Sequence, residues 1–231
     1  MARAIVVAAG QSRRMGEGIN KQLLPLAGRP ILAYSLAGLE ESSCIEEYVL
    51  VVGVQEVDKF NRLAREQWNC SKLARVVPGG EKRQDSVWLG LQALPEDTQV
   101  VIIHDGARPF LRSELVDKVA TEAARWGAAT LAVPVKDTVK KVGVRGFVLG
   151  TVPRESLWLT QTPQAFSFSL LREVHCRVRG KPAPVTAPDD AFLFEAMGYK
   201  VKVVEGSYLN IKITTPEDLV MAQALAQVWQ K

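Results

Sequence analysis

The chain is 231 residues long, enough for one large domain with a sizeable core. Hydrophobic residues make up 47% and charged residues 23%, a globular balance that excludes a low-complexity chain, and no apolar run approaches membrane-spanning length. The net charge of +4 is mild and its acids and bases are interspersed, which suits an anionic ligand and does not point to nucleic acid.

Strand and helix alternate from the start. Ala4 to Ala8 reads as a buried parallel strand ended by Gly10. Pro30 to Leu39 reads as a helix with Pro in its first turn, and Tyr48 to Val52 as a second strand. Val57 to Trp68 is helical in pattern, and Leu73 to Val77 is a third strand stopped by Pro78-Gly79-Gly80. Ser86 to Leu94 is a helix with Asp85 as its cap. A fourth strand, Val100 to Ile103, runs into His104-Asp105. Ser113 can cap a helix reaching Trp126, where Gly127 ends it, and Ala128 to Val133 is a fifth strand. Val201 to Val204 and Asn210 to Ile213 read as extended, and Thr215-Pro216-Glu217-Asp218 opens the last helix.

This rhythm predicts an α/β fold with a doubly wound, mostly parallel, Rossmann-like sheet, in a single domain spanning 1–231. The stretch at about 136–164 departs from it. Val139 to Val142 and Phe147 to Val152 flank the turn Gly143-Val144-Arg145-Gly146 and predict a protruding β-arm. An isolated hairpin is marginal in water, so the arm is expected to pack on a second subunit.

Cys44, Cys70 and Cys176 are far apart and form no CxxC, which argues against a disulfide framework or a zinc site. His104 and His175 alone cannot supply a metal cluster. The opening MARAIVVAAG is too short in its apolar run for a signal-peptide core, so a cytoplasmic location is expected.

The segment Ala8-Ala9-Gly10-Gln11-Ser12-Arg13-Arg14-Met15-Gly16, followed by Asn20-Lys21-Gln22, carries the most chemistry. Small residues after a buried strand let backbone N–H groups approach phosphates closely, and the nearby cations can neutralise a triphosphate. It is neither a Walker A loop nor a GxGxxG fingerprint. A tight strand-to-helix turn with surface cations is the bland alternative.

The pattern AAG-x-x-x-R-M-G followed by K-Q resembles the sugar nucleotidyltransferases, and further blocks narrow the likeness. Pro78-Gly79-Gly80-Glu81-Lys82-Arg83-Gln84-Asp85-Ser86-Val87 resembles the GG-x-x-R-x-x-S-V segment of cytidylyltransferases, and His104-Asp105-Gly106-Ala107-Arg108-Pro109-Phe110 resembles their HD-x-ARP motif. Asp137-Thr138, Val152-Pro153-Arg154, Gln161-Thr162-Pro163-Gln164 and Asn210-Ile211-Lys212-Ile213-Thr214 follow in register. Nearly the whole chain thus resembles the 2-C-methyl-D-erythritol 4-phosphate cytidylyltransferase family of the non-mevalonate isoprenoid route.

The resemblance implies transfer of a cytidylyl group from CTP to the polyol phosphate with release of pyrophosphate, on a nucleotide-diphospho-sugar transferase type of fold. It makes Arg14 and Lys21 contacts of the triphosphate, and fixed cations suit a reaction that relies on positioning and charge stabilisation. Ala8, Ala9, Gly10, Gly80 and Ser86 match cytosine and nucleotide contacts, although Ser86 also reads as a helix-start residue. Asp105 follows a strand at the edge where open α/β sheets bind ligands; it is placed to hold Mg²⁺ or another divalent cation, or else to cap a local turn. Arg108 is either a substrate contact or a brace for that loop. Thr138, Arg154 and Thr162 match the polyol-phosphate positions, with Arg154 reaching the neighbouring subunit's site in a homodimer. Lys212 is the lysine that stabilises the substrate phosphate during attack. Tyr208 and Lys212 also fit a YxxxK spacing, but an extended segment would hold the two about 13 Å apart.

One block departs from the pattern. Where the family carries Thr-Asp-(Asp/Glu)-Ala, this chain has Ala187-Pro188-Asp189-Asp190-Ala191, with Thr186 two residues before the threonine's place. Either Thr186 takes the polyol contact or that contact is missing. This keeps a ribitol 5-phosphate cytidylyltransferase as the alternative. An NAD(P)-dependent oxidoreductase predicts GxGxxG and a helical YxxxK, and a non-catalytic nucleotide sensor predicts loss of the acid or cations; the sequence fits neither.

Overall fold

The computed structural model describes residues 1–10, 20–180 and 186–229. The chain opens with β1 (Ala2–Val7), apolar apart from Arg3, as suits a strand covered on both faces. A small hairpin of β2 (Pro25–Leu26) and β3 (Arg29–Pro30) leads into α1 (Ile31–Glu40). Then come β4 (Ile45–Val52), α2 (Val57–Arg62), β5 (Leu73–Pro78), α3 (Arg83–Ala93) and β6 (Val100–Asp105). α4 (Ser113–Trp126) precedes β7 (Ala128–Pro134), the arm strands β8 (Val139–Val142) and β9 (Val148–Val152), and β10 (Trp158–Ser167). α5 (Phe168–Arg179), α6 (Asp190–Ala196), β11 (Lys202–Glu205) and α7 (Pro216–Trp229) complete the order.

Seven strands form one sheet in the order β11-β7-β10-β6-β1-β4-β5. β10 runs antiparallel to both its neighbours, β6 and β7, and the remaining pairs are parallel. One face is covered by α1, α2 and α4 through Leu32, Leu36, Phe60, Val116 and Val119. The other is covered by α3, α5 and α6 through Val87, Leu91, Leu171, Val174 and Phe194. This is the expected doubly wound, Rossmann-like α/β architecture. α7 packs separately over Leu26, Ile31, Tyr34 and Phe110. Among the described residues no helix is long and apolar enough to cross a membrane.

Local chemistry explains where elements end. Gly127 closes α4 with φ at +86°, its N–H donating to the Ala123 carbonyl at 2.8 Å. Asp85 lies inside α3 rather than before it; its carboxylate reaches back to the Lys82 N–H at 3.3 Å, so the helix starts at Arg83. Likewise Ser113 is the first helical residue of α4, with Arg112 as its cap position. After α2 the chain continues through a π-helical turn, Leu63–Gln67, in place of one uninterrupted helix.

Two expectations fail. Asn210 to Ile213 is not a strand. It docks by isolated bonds instead of a ladder: Asn210 Nδ2 donates to the Thr162 carbonyl at 2.8 Å, the Asn210 carbonyl accepts from Arg108 at 2.7 Å, and the Ile213 N–H donates to the Ala107 carbonyl at 2.9 Å. The arm is also shorter than 136–164, because its end belongs to β10 in the main sheet and only β8 and β9 form the separate hairpin. That hairpin is largely uncovered, with Val144, Phe147, Val148 and Leu149 all exposed.

Candidate active site

Because β1, β4, β5 and β6 are parallel, Val7, Val52, Pro78 and Asp105 all end at one edge of the sheet, where ligands of open α/β folds bind. A cleft of about 160 Å³ opens there, lined by Ala9, Gly10, Lys21, Gly80, Ser86, Asp105 and Lys212 among others. These residues come from five separate places in the sequence, and the fold alone gathers them.

The floor is made by close backbone approach. A Cβ on Gly79 would stand 2.3 Å from Ala9 Cβ, and one on Gly80 would stand 2.4 Å from Asp85 Cβ, so neither position tolerates a side chain without movement. Gly80 N–H donates to Ser86 Oγ at 3.1 Å, and Ser86 Oγ in turn donates to the Lys82 carbonyl at 3.3 Å. Ser86 is buried and holds the glycine turn against the first turn of α3. Ala8 lies beneath, its N–H bonded to the Val51 carbonyl at 2.7 Å.

Lys21 stands on a 3-10 turn, Lys21–Leu23, whose entry is fixed by Asn20 accepting from the Gln22 N–H at 3.0 Å. Its ammonium donates to the Ile213 carbonyl at 3.3 Å, which places it beside the Lys212 segment. Arg13 and Arg14, the other cations of the loop, lie outside the described residues.

Asp105 is the centre of charge. Its Oδ1 accepts from Arg83 Nε at 3.1 Å and its Oδ2 pairs with Lys212 Nζ at 2.6 Å. Burial by itself would raise its pKa, but Arg83, then Lys212 and Arg108, hold the carboxyl well below the usual carboxylate range. Asp105 is therefore an anion at any ordinary pH. For Arg83 burial lowers the pKa, and Asp190 and Asp105 together more than reverse it. One carboxylate completed by substrate phosphate oxygens is a common Mg²⁺ set, and each Asp105 oxygen keeps a second lone pair, so the donor fits such an ion. Among the described residues no group of three or more His, Cys, Asp or Glu surrounds it, so the protein alone offers no closed cage.

The backbone of Asp105 is held from β10. Its N–H donates to Thr162 Oγ1 at 3.0 Å, and Thr162 pairs with His104 Nδ1 at 3.2 Å. His104 Nε2 faces the Arg108 carbonyl at 3.2 Å, which can only accept, so Nε2 carries the proton and Nδ1 accepts from Thr162. Burial pushes His104 down to about 4, keeping it neutral in this chain of bonds. Arg108 Nη1 donates to the Asn210 carbonyl at 2.7 Å, which favours the brace reading over a substrate contact.

The residues expected on the polyol side do not line the cleft. Thr138 is exposed between β7 and β8, and Arg154 is exposed at the base of the arm with its guanidinium on the Lys136 carbonyl. Thr186 is exposed just before α6, and Thr162 is buried with its hydroxyl committed to Asp105 and His104. Arg83 lines the cleft and pairs with Asp105, yet the motif reading leaves it without a role, although it is the one arginine of the Gly79-to-Val87 block. A larger hollow of about 550 Å³ between α1, α4 and α7 contains none of the motif residues.

Comparison with known proteins agrees over the whole length. The family model described as "IspD: 2-C-methyl-D-erythritol 4-phosphate cytidylyltransferase" matches residues 2–227. A relative from Pelotomaculum thermopropionicum, named for that activity, is 50% identical over 98% of this chain and 94% of its own. One from Desulforamulus reducens, of the same name, is 50% identical over 96% and 94%. Among solved structures, a 4-diphosphocytidyl-2C-methyl-D-erythritol synthase from Anaerococcus prevotii superposes with a TM-score of 0.85 at 33% identity, covering 98% of this chain and 96% of that one. A 2-C-methyl-D-erythritol 4-phosphate cytidylyltransferase from Thermus thermophilus gives 0.79 at 36% identity, covering 98% and 100%.

Proposed function

The chain belongs to the 2-C-methyl-D-erythritol 4-phosphate cytidylyltransferase family, and from that premise we propose that it transfers the cytidylyl group of CTP to 2-C-methyl-D-erythritol 4-phosphate in non-mevalonate isoprenoid biosynthesis. The products are 4-diphosphocytidyl-2-C-methyl-D-erythritol and pyrophosphate. The observation that carries this reading is the convergence of Gly10, Lys21, Gly80, Ser86, Asp105 and Lys212 on one cleft at the carboxyl edge of the sheet.

The glycine turn at Gly79–Gly80 and the Ala8–Gly10 backbone hold the base, and the tightness of that turn selects a pyrimidine over a larger purine. A phosphate oxygen of the polyol substrate attacks the α-phosphorus; a new P–O bond forms as the bond to the pyrophosphate oxygen breaks. Lys21, with Arg14, stabilises the charge gathering on pyrophosphate. Lys212 orients the attacking phosphate. Asp105 would hold Mg²⁺, which would supply neutralisation of the phosphate charge.

Thr138, Arg154 and Thr186 complete the polyol site when two copies of the chain associate through the β8–β9 arms, Arg154 then serving the partner's cleft. The exposed apolar residues Val144, Phe147, Val148 and Leu149 support this homodimer, since a two-stranded hairpin needs cover. A cytoplasmic location completes the proposal and accords with the lack of any membrane-crossing helix among the described residues. Ribitol 5-phosphate is not favoured, because the matched family is named for methylerythritol phosphate.

Pyrophosphate release from CTP, with either polyol phosphate supplied, tests the assignment. Turnover with methylerythritol phosphate is expected; turnover with ribitol 5-phosphate alone would overturn it.

A further inference from the structure

The charge network around Asp105 does not stop at the cleft. Arg83, the first residue of α3, uses Nε on Asp105 and Nη1 on Asp190, the first residue of α6, at 2.7 Å. Asp190 is buried, and its other oxygen lies 3.2 Å from His175 Nε2. Its backbone N–H and that of Ala191 both donate to Gln164 Oε1 on β10, and Gln164 Nε2 donates to Asp189. The start of α6 is thus fixed at three points, Gln164, His175 and Arg83, and of these three only Arg83 also lines the nucleotide cleft. Thr186, the candidate polyol contact, lies four residues before Asp190.

We infer that Arg83 is a positioning residue that sets the polyol-side segment 186–190 relative to Asp105, through one guanidinium bridging the Asp105 and Asp190 carboxylates. The planar fork suits this task, because it donates in fixed directions to two acceptors, whereas an ammonium is a point charge that cannot hold both in register. Holding Asp105 by Oδ1 also directs Oδ2 to Lys212, so the guanidinium orders the lysine indirectly. The nucleotide side is formed mainly by backbone at Ala9, Gly10 and Gly80, whereas the ion-pair partners of Arg83 are Asp105 and Asp190. Loss of the bridge is therefore felt in the polyol phosphate before CTP.

The inference rests on the proposed cytidylyl transfer, and its test separates the two. Wild type, Arg83→Lys, Arg83→Gln and Asp190→Asn are compared with CTP and methylerythritol phosphate, with hydrogen exchange followed in α6. An inactive wild type counts against the reaction, not against the bridge. With active wild type, Arg83→Lys is expected to lower kcat/KM for the polyol phosphate roughly 100-fold. KM for CTP should stay within about threefold of wild type. The Arg83→Lys, Asp190→Asn double variant should lose little beyond the worse single one. Faster exchange of the α6 amides in Arg83→Lys is expected whether or not the reaction occurs. Equal loss toward both substrates, additive effects of the two substitutions, or unchanged α6 exchange would overturn the inference.

Discussion

Lys212 Nζ sits 2.6 Å from Asp105 Oδ2, so the lysine assigned to the substrate phosphate is already paired with the acid assigned to the metal. The two cannot be altered independently. Removing the charge in Asp105→Asn frees Lys212, leaves Arg83 with Asp190 alone, and takes away the carboxylate that fits Mg²⁺. The expected outcome is loss of most activity with a raised Mg²⁺ requirement, read by titrating the ion in a pyrophosphate assay. Full activity of this variant without a divalent ion would sink the metal assignment.

Lys21→Ala is expected to reduce kcat by roughly 10²- to 10³-fold, the usual effect of deleting one fixed charge that meets a transition state. Its side chain is only partly buried, so the melting temperature should hardly move. Unchanged turnover would remove Lys21 from the triphosphate.

Gly79→Ala tests the tight turn. The added methyl would meet Ala9 Cβ at 2.3 Å and Ser86 Oγ at 2.8 Å, so the turn must open. Overpacking of this kind costs about 1–3 kcal/mol. KM for CTP should rise at least tenfold, and discrimination against UTP and purine triphosphates should weaken; competition assays read both.

Acid should weaken the fold through His104. Its pKa in the folded protein lies at about 4, below the unfolded value of 6.5, so the unfolded chain binds the extra proton first as pH falls. Stability is therefore whole above about pH 6.5 and falls between there and about pH 4, by roughly 3 kcal/mol. The depressed Asp105 carboxyl adds a second loss only below its unfolded value of 3.8. Thermal melts across this window check the first step, which should flatten in His104→Gln; a melt unchanged down to about pH 4 refutes it.

The arm predicts an assembly. Phe147→Asp should convert a dimer to a monomer in sedimentation, since Phe147 is 72% exposed on the isolated hairpin. Mixing Arg154→Ala with Lys21→Ala chains should restore activity that neither shows alone. No rescue after subunit exchange would exclude a shared site.

Much of this is legible in the sequence because hydropathy marks buried strands. β1, β4, β6 and β7 are largely apolar; Gly10 of the cleft follows β1, Asp105 ends β6, and Gly80 follows the less buried β5. β10 does not read as a core strand, because Gln161, Thr162 and Gln164 look like loop residues. They are buried, and their hydrogen bonds to Asn210, Asp105 and the start of α6 replace the water they lose. The segment Asn210 to Ile213 misleads for the opposite reason: its apolar residues suggest a strand, but its bonds run to the Arg108 side chain and to the single carbonyls of Thr162 and Ala107. Arg83 has no local signature because its partners lie 22 and 107 residues away, a relationship no short pattern carries.

The position of β10 gives the hairpin a lever. The chain leaves the sheet after β7, runs out through the hairpin, and returns between β6 and β7 instead of at an edge. Whatever grips the hairpin therefore pulls on a strand wedged in the middle of the molecule, and that strand's Thr162 hydroxyl holds the Asp105 amide. A load on the hairpin would thus reach the Asp105 backbone through β10 and Thr162.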